Sequence, residues 1–145
     1  MLASFIRHCH RRSRIVLAAA FLQVVVLSAS ARADDLADFH AAIEQALDQH
    51  HFALATLETS SQERTAAEVS RLREIWQTIA ERFGARRPAE FANDDDYSGM
   101  FMQIDVRLVG VLLVIDLGNR DAARSALAPV ADTLADLAAR SAPPR

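Results

Sequence analysis

The chain has 145 residues, with 19 acids against 16 arginines and no lysine, for a formal net charge of −3. That length holds one domain with one core. The acidic balance argues against nucleic acid or anionic membrane surfaces as partners, since both reward basic side chains. The single cysteine, Cys9, excludes an intramolecular disulfide, a thiolate metal cluster and the paired cysteines of covalent haem attachment.

Residues 1–33 carry the three parts of an export signal in order. Arg7, Arg11, Arg12 and Arg14 form a basic head; Ile15 to Leu27 is an apolar run broken only by Gln23; Ser28 to Ala33 is a small-residue tail ending Ala31-Arg32-Ala33. The apolar run is shorter than the roughly 20 residues that span a bilayer, so the reading is a signal peptide cleaved near Ala33 rather than a retained anchor. Arg14 stands where a twin-arginine signal wants an apolar residue, which favours the general secretion route. All 19 acids but only 11 of the arginines lie beyond Ala33, so the remainder is free of cysteine and carries −8. Exclusively arginine cations and abundant alanine suggest GC-rich coding. The expectation is an exported, periplasmic or secreted bacterial protein with no stable membrane insertion after cleavage.

From residue 34 the pattern is all-α, an antiparallel four-helix bundle over 34–140 followed by a disordered tail, 141–145. Leu36, Phe39, Ile43, Leu47, His50, Leu54 and Leu57 recur at steps of three and four, one face of a first helix over about 35–57. Asp34 or Asp35 is placed to cap it. Ser60-Ser61-Gln62-Glu63 reads as a capping box ahead of a second stripe, Val69, Leu72, Trp76, Ile79 and Phe83. Gly84 suits a left-handed helix end, and Pro88 confirms the break. A loop of about a dozen residues leads to a third helix, about 98–117, with Gly118 ending it and Asn119 capping the next. Ala123, Leu127, Val130, Leu134 and Leu137 stripe the fourth helix, and they keep phase across Pro129, which predicts one kinked helix. A rival reading makes Val109 to Leu117 a buried strand, but no second strand is available to pair with it.

The candidate chemistry falls in three places. His40, His50 and His51 are the only histidines beyond residue 33, all on the first helix. His40 and His50 are separated by about 15 Å along the axis, too far for one metal. Glu68 falls near the level of His50, so a buried His–Glu pair is one reading and a core histidine held by a single hydrogen bond the other. His40 with Met100 keeps a haem reading open, while Met100 and Met102, two apart on a helix, diverge too far to share copper. Asp94 to Gly99 reads D-x-D-x-S-G and resembles the opening of an EF-hand calcium loop, with Asp94, Asp96, Ser98 and Asp105 as ligands. The plainer reading has these side chains capping the third helix. No nucleophile elbow or phosphate loop is present.

The third place is the third helix itself. With Ile104 facing inward, Tyr97, Met100, Phe101, Leu108, Val111 and Ile115 lie within about 60° of it at 100° per residue. Met102, Val106, Val109, Leu113 and Leu117 line the opposite side, between a seam of Asp105 and Asp116 and a seam of Gln103 and Arg107. A bundle helix ordinarily buries one apolar stripe and shows water a polar face. The second stripe predicts a homodimer or protein partner there, unless the fourth helix or the loop bearing Phe91 wraps over it. The expected function is a non-enzymatic binding or protein-interaction module. The alternatives are a helical bundle binding haem, calcium or a transition metal and, with no motif behind it, an enzyme of undetermined class.

Overall fold

The computed structural model describes residues 34–142, so the export-signal reading of residues 1–33 and the tail at 143–145 lie outside the described residues. The described part is all-helical: α1 (34–59), α2 (Gln62–Phe83), α3 (Tyr97–Asp116) and α4 (Arg120–Ser141), with one short 3-10 turn at Ala89–Phe91. No strand occurs among the described residues, and Val109 to Asp116 belong to α3. From Leu36 onward the chain forms one unit.

Four apolar stripes build its core, and the side chains decide which way each helix turns. On α2 the whole expected stripe is buried, from Val69 to Phe83, and on α4 likewise from Ala123 to Leu137. α1 is rotated slightly from the expected face. Phe39, Ile43, Ala46, Ala53 and Leu57 are buried, whereas Leu47 and Leu54 are only partly so. The small Ala46 and Ala53 thus take core positions, and the larger leucines pack along the rim.

Polar cross-links show the packing order. Gln49 of α1 donates to the Glu68 carboxylate and carbonyl on α2 at 3.1 Å, and the Thr65 hydroxyl donates to Thr56 O. Between α2 and α3, Trp76 Nε1 donates to Phe101 O at 3.1 Å and Arg73 pairs with Asp105 at 3.0 Å. α4 closes on α1 through His50 with Leu127, and through Arg120, whose guanidinium donates to Leu57 O and Ser60 O at the end of α1. Residue numbers rise on one helix of each pair as they fall on the other, so these neighbours run antiparallel.

The helix ends follow local chemistry, with two departures from expectation. Ser61 is the N-cap of α2, accepting from Arg64 N, so the cap sits one residue later than the Ser60–Glu63 box requires. Glu63 instead lies in the first turn, where its own backbone amide first, and the Ser61 hydroxyl second, hold its carboxyl below the usual carboxylate value. Gly84 has right-handed angles, φ −60° and ψ −44°, because its amide continues the helical ladder to Ala80 O. Gly118 is the left-handed residue, φ +74°, and Asn119 Oδ1 accepts from Ala122 N at 3.0 Å to start α4. α4 runs through Pro129 as one helix and reaches Ser141, which is buried. Phe91 of the short turn plugs one end of the core, its ring 5.4 Å from Phe39 and 5.2 Å from Tyr97.

Candidate functional site

α3 is the least ordinary element, because nothing in the unit covers its outer side. Tyr97, Phe101, Ile104, Leu108, Val111 and Ile115 are buried, and Met100, Leu112 and Val114 are partly buried beside them. On the other side Met102 is 68% exposed, Val106 64%, Leu113 63% and Leu117 81%, with Val109 half-buried between them. α4 does not wrap over this face, and Phe91 is spent on the core end. These four large side chains expose a few hundred Å² of contiguous apolar surface, near the upper limit for a monomer. Met100 and Met102 fall on different faces, one against the core and one in water.

Both glycines of α3 open onto empty space. A Cβ added to Gly99 or to Gly110 would meet nothing within 4 Å. Glycine in a helix interior costs about 0.5–1 kcal/mol relative to alanine, and no contact inside the unit requires it at either place. Gly99 lies seven residues before Val106, on the same outer stripe; that spacing was available in the sequence and was missed. The flank toward α2 carries Asp105, paired with Arg73, and the exposed Asp116.

The acidic segment does not close into a twelve-residue loop. Helix α3 starts at Tyr97, so Asp105 stands about 12 Å further along its axis, on the α2 side with Arg73. The apolar period of α3 continues through the segment and holds it helical. Arginines meet the other groups: Arg140 pairs with Asp94, and Arg87 donates to Ser98 Oγ and to Asp94 O, each at 2.9 Å. The Arg140 hydrogen bond is the main reason that the Asp94 carboxyl lies below its ordinary value. Asp94 Oδ1 also accepts from Asp96 N at 3.0 Å, while Asp96, at the N-cap position, makes no side-chain cap bond. Among the described residues, no group of three or more His, Cys, Asp or Glu is gathered to hold a metal. Arg140 lies 46 residues from Asp94, beyond any local sequence signal.

His40 and His50 are held in separate places by different partners. Ser141 Oγ donates to Leu137 O at 2.7 Å, which leaves it to accept from His40 Nδ1 at 3.1 Å. His50 is fully buried, and its Nε2 donates to Leu127 O of α4 at 3.0 Å. Glu68, the partner suggested by helical level, is taken by Gln49. His50 Nδ1 is buried without a partner. Desolvation pushes the imidazole below its usual value, against the raising effect of the Leu127 carbonyl and with a smaller lowering from His51. His50 is therefore a neutral core imidazole carrying one hydrogen bond.

The described chain is thus an all-α, four-helix protein whose third helix shows a bare apolar face. No family model, curated protein or solved structure matches it.

Proposed function

We propose that this is an exported protein, cleaved near Ala33, whose antiparallel four-helix bundle serves as a non-enzymatic interaction module. Met102, Val106, Val109, Leu113 and Leu117 are its docking face. The observation that carries this reading is the exposure of four of these side chains at 63–81%. Water gains by losing such a surface to a partner, at about 25 cal/mol per Å² of apolar area. By length and composition α3 could cross a membrane, but its inward stripe completes the core of a helical unit, and the −8 charge beyond Ala33 disfavours anionic lipid. Protein is the partner class this leaves in favour.

The test places a photo-crosslinking residue at Leu113 in the native host, with Gln45, exposed on α1, as the control position. A protein adduct at Leu113 and none at Gln45 is expected. No protein adduct at Leu113 overturns the reading.

A further inference from the structure

On the reading that the outer face of α3 is a docking surface, the charge beside that face selects the occupant. Met102 stands at the edge of a cleft of about 430 Å³ between α2 and α3, which Ala80 and Phe101 line together with Glu81 and Asp105. Asp105 already holds Arg73 at 3.0 Å. Glu81 is exposed and has no cation within ion-pair distance among the described residues. The cleft therefore suits the side chain of a lysine or arginine, whose methylene stem lies on the apolar wall while its charged end meets the carboxylates. Asp116, further along the same flank, is exposed and makes no ion pair among the described residues. Along the α2 side of the stripe, three carboxylates thus face one guanidinium. Arg107, the only cation of α3, lies on the opposite flank, where a second cleft beside Gly99 adds Asp96 and Asp136 to the Asp94–Arg140 pair.

We propose that this face binds an amphipathic helix of a different protein, with lysine or arginine along the edge of its apolar stripe that lies toward α2. Charge complementarity chooses the partner, and the backbone chooses its conformation. No strand among the described residues offers an edge for an extended segment to pair with. A helix satisfies its own amides and needs only side chains to dock. Its apolar face covers the stripe from Met102 to Leu117, about 22 Å at 1.5 Å per residue. Its cations meet Glu81 in the cleft at one end of that stripe and Asp116 at the other. The alternatives match the charge less well. An antiparallel two-fold second copy would lay the α2 flank on itself and set Asp105 against Asp116, like against like. A neutral lipid surface would cover the stripe but leave the carboxylates of Glu81 and Asp116 beside it without a cation.

The probes are two synthetic helices of about sixteen residues, long enough to cover the stripe. They share one leucine face and carry either lysine or glutamate along its edges. Titrated into the exported protein, the leucine–lysine helix should bind and the leucine–glutamate helix should not. Glu81→Lys, which reverses the charge in the cleft, should weaken binding about tenfold. Leu113→Ser, which removes a large apolar side chain from the face, should weaken it about tenfold as well. Glu44→Lys, at an exposed site on α1, should leave it unchanged. Circular dichroism of all three variants should match the wild type, since each site is exposed. Equal binding of the two helices overturns the proposal, and so does equal weakening by Glu44→Lys and Glu81→Lys, which would reduce the effect to net charge. Full affinity in Leu113→Ser places the helix elsewhere and overturns it too. A wild type that dimerises in sedimentation equilibrium, and that Leu113→Ser returns to monomer, assigns the face to a second copy instead. Flotation with uncharged phosphatidylcholine vesicles assigns it to a membrane. The Leu113 photo-adduct in the native host separates this proposal from the reading beneath it. An adduct to a segment without lysine or arginine keeps the docking face and overturns the basic partner, whereas no protein adduct removes both.

Discussion

A buried imidazole takes up a proton only by stranding a charge in apolar surroundings, and His50 has no carboxylate near its free Nδ1 to offset that cost. Because its value is lowered in the fold, the unfolded chain binds the proton first as pH falls. Full stability is therefore present above the usual imidazole value of 6.5 and is lost as pH drops below it toward the folded value. The loss from this one group has a slope of at most about 1.4 kcal/mol per pH unit. His50→Leu should flatten that part of the profile, measured as the difference in urea midpoints between the two proteins from pH 7 to pH 5. Equal slopes would show that His50 is protonated as easily in the fold as out of it. The stripe position of His50 was legible in the sequence. Its partner was not, because a backbone carbonyl such as Leu127 O carries no residue-type signature.

At the scale of elements, α3 combines two roles that a single amphipathic period cannot express. Its inner stripe is core, and its outer stripe is as apolar but faces water. Gly110 should therefore respond differently from a buried glycine. Gly110→Ala meets open space in the unit and removes the backbone entropy cost of a helical glycine. It should stabilise the monomer by about 0.5–1 kcal/mol, read from chemical denaturation at low protein concentration. A destabilised monomer would mean that the glycine serves a contact within the unit. Helix ends were read well where one side chain meets its own helix, as with Asn119 and Gly118. They were read less well where the register could slip by one, as between Ser60 and Ser61. The residues of the calcium-like spacing are not gathered in one loop, for an element-scale reason. An EF-hand pattern needs its residues in a loop, and the apolar period of α3 claims everything from Tyr97 onward.

For the whole molecule, the proposed export makes a claim about which chain remains after it. Ala31-Arg32-Ala33 supplies the small residues that a signal peptidase reads, so the intact mass of the exported protein should place its N-terminus at Asp34, or within two residues of it. A mass that still includes Met1 would replace cleavage with a retained leader. Residue types and their periods were sufficient for the all-helical character, the number of helices and most of the core, since each long stripe has to be buried somewhere and only neighbouring helices can cover it. They also marked the outer stripe of α3 as an anomaly. Whether that stripe was covered depended on where α4 and the Phe91 turn came to rest, and these are set by packing across the whole core rather than by any local pattern. The same holds for the pairs made over long separations, Arg140 with Asp94 and His50 with Leu127. Periodicity orients a side chain on its own helix; only the packed fold decides what stands opposite it.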